Sequence, residues 1–307
     1  MLHFLLAAAQ AAAPAAAPVT PSAIVAAAKP AEWVTIAPAD LLVMEFAPDG
    51  QGRPRRVVIQ LIAAPFSQGW VANIRTLARA HWWDGTAVTR VQDNYVAQWG
   101  DPDGEDKAKA KPLPAGLRKM GEAEYVVPVG RGRTLSIDAF NAFPGSFKDP
   151  YANSTTFIWG WPIALGSTGA WPVHCYGTVG VGRDLSPDTG TGAELYAVIG
   201  HAPRHLDRNI AVAGRVVEGI ENLSSLPRGT GPLGVYATPG ERTAIRSVRL
   251  ASELPAAERP RLQYLSTEGP SFAAYANARA NRRDAFFIQP AGGVDVCNVP
   301  VPVRRMP

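Results

Sequence analysis

Between residues 41 and 250 the sequence repeats one theme: a short β-prone run, then a cluster rich in glycine or proline. LLVMEF at 41–46 and RVVIQLI at 56–62 flank Pro48-Asp49-Gly50-Gln51-Gly52, a turn-forming cluster, so the two runs are expected to pair as a hairpin. Further strand candidates follow at 86–98, 125–129, 156–161, 175–181, 195–199, 210–217 and 243–250. Only two helices compete with them. Residues 69–82 place Ile74, Leu77 and Ala78 at three- and four-residue spacing with Arg75 and Arg79 on another face, and 218–226 reads as a shorter helix. The 29 glycines and 28 prolines also weigh against a helical bundle. Many short strands favour a closed antiparallel barrel, because closure removes edges that would otherwise pair between molecules.

Composition narrows the class of protein. With 307 residues, 47% of them hydrophobic and 18% charged, the chain can bury a core without a metal or disulfide scaffold, and wholesale disorder is excluded. The net charge is only +4 and the arginines are scattered, so nucleic acid is not expected as a partner. No apolar run reaches the roughly 18 to 20 residues of a membrane-spanning helix. Residues 1–17 read as an apolar segment followed by small residues with Ala-x-Ala frames such as Ala9-Gln10-Ala11, the pattern of a cleaved signal peptide. Residues 18–38 read as an Ala/Pro-rich linker. Such a leader implies a periplasmic or secreted protein.

Three collinear stretches carry chemistry. The first runs from Val71-Ala72-Asn73-Ile74 to Trp83-Asp84-Gly85-Thr86. The second, residues 89–102 (TRVQDNYVAQWGDP), spaces Arg90, Tyr95 and Gln98 by five and then three positions. The third spans Gly177-Thr178-Val179-Gly180-Val181-Gly182-Arg183, Gly192-Ala193-Glu194-Leu195-Tyr196, His205-Leu206-Asp207 and Gly214 to Gly219. Together they resemble the cyclophilins, barrel-shaped peptidyl-prolyl cis-trans isomerases, and the resemblance points to a divergent, exported bacterial member. It implies a mainly β fold: a closed eight-stranded antiparallel barrel capped by two helices, spanning 39–251, with a long insertion at about 103–171 near the groove. A C-terminal extension, 252–307, is expected to dock on the barrel, with a helix at 272–283 and apolar packing by Phe286, Phe287, Ile288 and Val294 to Cys297.

The resemblance also assigns roles. Arg90 and Gln98 stand at the catalytic positions; Tyr95, Val96, Tyr196 and Leu206 at the proline-ring pocket; His205 and Glu194 at substrate-contacting positions. Substrates are proline-containing polypeptides, and no cofactor is implied. The chemistry suits these residue types, because rotation about an Xaa-Pro bond needs no nucleophile. It needs an apolar seat for the ring and a permanent cationic donor where the imide nitrogen regains its lone pair. Departures include Tyr95-Val96 in place of Phe-Met, Trp99 in place of Gly, Glu194 for Gln, His205 for Trp and Ile210 for His or Tyr. Trp99 is expected to reshape the pocket, and the altered surroundings of Trp99 and Glu194 keep a catalytically weak peptide-binding or chaperone module as the alternative. Taken alone, Arg90 would be a surface arginine. His174, Cys175, His201 and His205 invite a zinc site, but Pro203 interrupts any helix that would present His201 and His205 together. An even pair of cysteines beside an apparent leader motivates a Cys175–Cys297 bridge pinning the C-terminal extension.

Overall fold

The computed structural model describes residues 19–130, 135, 149–167 and 169–306; the expected signal peptide lies outside them. Eight strands close an antiparallel ring: β2 (Leu41–Phe46), β3 (Arg55–Leu61), β4 (Ala87–Val91), β5 (Val96–Gly100), β9 (Thr178–Val181), β10 (Leu195–Val198), β11 (Val212–Glu218) and β12 (Thr243–Leu250). Around the ring their order is β10-β5-β4-β12-β2-β3-β11-β9. The expected β2–β3 hairpin forms, with Leu41 opposite Gln60 and Phe46 opposite Arg55. The stretch 86–98, expected as one strand, is instead the β4–β5 hairpin, since Asn94 turns the chain at φ 50°.

Helix α2 (Gln68–Arg79) buries Trp70, Val71, Ile74, Leu77 and Ala78 against the barrel interior, the face its spacing predicted. At 218–226 only one turn is helical, α3 (Glu221–Ser224), because β11 runs on to Glu218. Inside the ring, Met44, Ile59, Val88, Trp99, Val181, Leu195 and Val248 pack into one core with α2.

Everything outside the ring was harder to foresee. The 18–38 stretch is not a linker. Thr20 caps α1 (Pro21–Ala27) by accepting a hydrogen bond from the Ala23 N–H (3.2 Å), and β1 (Trp33–Thr35) follows. Strand β1 pairs with β13 (Leu262–Leu265), which pairs with β14 (Val303–Arg305). The insertion adds a second three-stranded sheet, β6 (Ser154–Ile158), β7 (Trp161–Gly166) and β8 (Gly169–Pro172). These pieces, α1 and α4 (Pro270–Ala280) share a second core built on Trp33, Phe157, Trp171, Leu265, Phe272 and Val299.

The C-terminal extension packs into this second core, and a Cys175–Cys297 disulfide ties it to the chain just before β9. Three expectations need correction. Phe286 and Ile288 are 85% and 101% exposed; of the residues expected to pack, Val294, Val296 and Cys297 join the second core. The insertion lies only partly at the groove: residues 101–113 border it, whereas β6 to β8 pack with the extension. Residues 125–129 form no strand; Glu122–Tyr125 is a 3-10 turn, and Val127 makes a single bridge to Ala170. Among the described residues no helix is long and apolar enough to cross a membrane.

Candidate active site

The site lies on the outer face of β4, β5 and β10, and local strand geometry explains its composition. Along β5 the side chains alternate: Ala97 and Trp99 enter the barrel core, while Val96 and Gln98 face outward. Strand β10 does the same, with Leu195 and Ala197 inside and Tyr196 and Val198 outside. Tyr196 stands directly opposite Gln98. Strand β4 breaks the alternation. Val88 pairs with Trp99 and Arg90 with Gln98, so Thr89 is an extra residue, a bulge. Without it Arg90 would follow Val88 into the core; with it, Val88 and Val91 stay inside and Arg90 turns out to the groove.

Around Arg90 the donors are organised but not exhausted. Its Nε donates to the Leu233 carbonyl (2.7 Å), Nη1 to Gln98 Oε1 (3.1 Å) and Nη2 to Gln92 Oε1. That leaves one N–H on each terminal nitrogen without an acceptor among the described residues. Gln98 in turn donates from Nε2 to Glu194 Oε1, so the three side chains form a chain along the groove. Burial lowers the pKa of Arg90, with Tyr95 and Glu194 opposing it. Burial also raises that of Glu194, a shift that Gln98 and Arg90 only partly offset. The Arg90 guanidinium sits 5.6 Å from the centre of the Tyr95 ring.

Beside the guanidinium lies an apolar slot. Val96 and Tyr196 form its buried floor and cluster with Val198, with Tyr95, Leu206 and Ile210 packed against them. The open cavity is about 110 Å³. Glycines make room: a Cβ on Gly180 would sit 2.3 Å from Tyr196 Cζ, and one on Gly182 would sit 2.9 Å from Glu194 Cγ.

Of the residues singled out from sequence, Arg90, Gln98, Tyr95, Val96, Tyr196 and Leu206 line the slot together. Glu194 acts on it through Gln98. His205 does not line the slot; its ring stacks on Tyr95 at 6.1 Å. Trp99, expected to distort the pocket, is 1% exposed and sits in the barrel core.

Several residues at the site were not foreseen. Gln92 and the Leu233 carbonyl hold Arg90. Behind the floor runs a buried polar chain. His174 Nε2 meets the Tyr196 hydroxyl at 3.0 Å, and His174 Nδ1 meets Asp207 Oδ1 at 2.9 Å. Arg204 then donates to Asp207 Oδ2 (2.7 Å) and to both Asp149 oxygens (2.6 and 3.1 Å). With Nδ1 carrying the proton toward the carboxylate, Nε2 is left to accept from Tyr196. Burial holds the Tyr196 phenol well above its usual value, so it remains the donor. For Asp207, burial alone would raise the pKa, but His174 and Arg204 together outweigh it and hold it low. The zinc reading fails on the same residues: Cys175 is in the disulfide, and both ring nitrogens of His174 are engaged.

The model of the family described as "Cyclophilin type peptidyl-prolyl cis-trans isomerase/CLD" matches residues 55–249. No curated protein matches the sequence. Among solved structures, the cyclophilin AquaCyp293 from Hirschia baltica aligns with a TM-score of 0.65 at 22% identity, covering 94% of this chain and 97% of that one. The likeness of fold thus extends over the additions outside the barrel. A cyclophilin type peptidyl-prolyl cis-trans isomerase from Cryptosporidium parvum aligns more loosely, with a TM-score of 0.40 at 12% identity over 68% of this chain and 97% of its own. The barrel, its bulged arginine strand and the family match over most of the chain lead to one assignment: the chain belongs to the cyclophilin-type peptidyl-prolyl cis-trans isomerase family.

Proposed function

We propose that this chain accelerates rotation about Xaa-Pro peptide bonds, with Arg90 as the catalytic residue and Gln98 and Glu194 positioning it. The barrier, roughly 18 to 20 kcal/mol, is set by amide resonance. As the bond twists, the imide nitrogen regains its lone pair and becomes an acceptor. The terminal N–H groups of Arg90 left over from Gln92 and Gln98 are the donors available to it. A preorganised donor of this kind is worth roughly a hundred- to a thousandfold in rate. The ring sits on Val96, Tyr196 and Leu206, a seat worth about 1 to 2 kcal/mol, enough to orient a substrate without retaining it.

The observation that carries this reading is the pair of uncommitted Arg90 donors at the mouth of a slot floored by apolar side chains. The alternative, a barrel that binds peptides without catalysis, draws on Trp99 and Glu194; Trp99 lies in the core, while Glu194 stands at the groove and accepts from Gln98. Exchange spectroscopy on a short Ala-Pro peptide separates the two. Catalytic amounts of the protein should speed cis-trans exchange well above the spontaneous rate, whereas binding without acceleration would support the alternative. We also infer export to the periplasm or beyond, supported by the leader-like residues 1–17 and by a disulfide, a bond favoured in oxidising compartments. Mass spectrometry of the mature N-terminus tests this: a chain beginning after an Ala-x-Ala frame is expected, and an intact Met1 would contradict it.

A further inference from the structure

On the far side of the ring from Arg90, a cavity of about 360 Å³ lies between the β9–β11 face and the segment that follows α4. Its walls are apolar, with Val173, Val216, Val299 and Val301 among them. Among the described residues, the charged ones lining it are two arginines, Arg215 and Arg279, with no carboxylate. Arg215 is part-buried, and the partners of its charge among the described residues are neutral groups. Nε and Nη2 donate to Gln60 Oε1 (3.0 and 2.8 Å), Nη1 donates to the Gly160 carbonyl (2.6 Å), and the guanidinium lies 4.6 Å from the Trp161 ring. Two other withdrawn arginines have anionic partners: Arg204 contacts two carboxylates and Arg249 one. A guanidinium taken from water without an anion is costly, and that cost is relieved when an anion arrives.

We propose that this cavity is a binding site for a small carboxylate with an apolar body, the carboxylate seated on Arg215 and the body on the valine wall. Arg215 keeps one N–H on each terminal nitrogen without an acceptor among the described residues, the pair a carboxylate takes. Trp161, which lines the same cavity, holds a buried indole N–H that also lacks an acceptor. Burial brings the pKa of Arg215 down to about 10, so it is still a cation at neutral pH. The size suits a medium-chain or aryl carboxylate, and the Cys175–Cys297 bridge, also in the lining, holds the two walls together.

The test is calorimetric titration of the full chain with octanoate, and with 1-octanol as the uncharged control. One octanoate per chain is expected, with 1-octanol at least tenfold weaker. Arg215→Gln should lower octanoate affinity at least tenfold while leaving isomerase activity unchanged, which also reports that the variant is folded. Val301→Phe, which fills the cavity from its outer wall, should abolish binding with Arg215 intact, so the proposal remains testable if the first variant does not fold. Absence of octanoate binding, equal binding of 1-octanol, or binding indifferent to Val301→Phe would overturn it. So would exclusive binding of a peptide ending in a valine carboxylate, which would make the cavity a site for chain ends.

Discussion

Arg90 on β4 and Arg215 on β11 stand on opposite sides of the same ring, each turned outward and each held by a main-chain carbonyl and by glutamine, two for Arg90 and one for Arg215. Their surroundings differ. Arg90 opens onto a groove bordered by acidic Glu194, and its neighbours leave room for an extended chain. Arg215 is enclosed by the insertion and the C-terminal extension, which with the N-terminal segment build a second core on the barrel. The same strand scaffold thus supports a donor for an open substrate and a cation enclosed by added structure. Which one a barrel arginine becomes depends on what the chain places above it.

If the added core is part of the folded unit, breaking its tether should have the largest effect. The Cys175–Cys297 bridge joins positions 122 residues apart, and a loop of that size corresponds to about 3 to 5 kcal/mol of stability. The double variant Cys175→Ala/Cys297→Ala should lose about that much in urea unfolding while retaining isomerase activity at the groove. An unchanged midpoint would mean that the extension folds and unfolds apart from the barrel.

The polar chain behind the slot gives a smaller effect. Tyr196→Phe removes the hydroxyl that His174 Nε2 meets and leaves a buried acceptor unpaired, at a cost of about 1 to 3 kcal/mol. Asp207 adds a pH signature. Its folded pKa is held below the usual carboxylate value, so the stability it contributes is present above about pH 4 and is lost as pH falls through the lowered value. Asp207→Asn should flatten that acid limb of the unfolding profile, and a variant with the wild-type acid limb would remove Asp207 from the account.

The smallest effect concerns Glu194. Burial raises its pKa, so it takes up a proton at a higher pH than a free glutamate and then accepts less well from Gln98. Wild-type kcat/KM is expected to fall as pH drops through the raised Glu194 pKa, while Glu194→Gln should give a nearly flat profile within about threefold of the wild-type rate. A Glu194→Gln profile that keeps the wild-type slope would separate the carboxyl from the groove.

The sequence made the ring itself legible, because period-two strands and turn clusters are local signals, and the Arg90, Tyr95 and Gln98 spacing survived intact. The orientation of Arg90 was not legible from alternation. It depends on the Thr89 bulge, which exists only because Val88 and Arg90 pair with consecutive residues of β5. Trp99 was misjudged for the converse reason: a bulky residue beside site residues suggests obstruction, but the pleat sends it inward. Long-range partners were equally hidden. The Leu233 carbonyl lies 143 positions from Arg90, and Asp207 lies 33 from His174. Ile24 and Val25 read as linker because the surface they pack on, around Phe272 and Tyr275, arrives some 250 residues later. Gln92 was the recoverable omission, standing two positions from Arg90 just past the end of β4.

The division of labour between the two arginines is tested most directly by measuring Ala-Pro isomerisation for Arg90→Ala and Arg215→Gln side by side, with both variants shown to be folded. The account predicts that Arg90→Ala falls by roughly a hundred- to a thousandfold, toward the spontaneous rate, while Arg215→Gln matches the wild type. Retention of activity without the Arg90 guanidinium, or an equal loss in both variants, would contradict it.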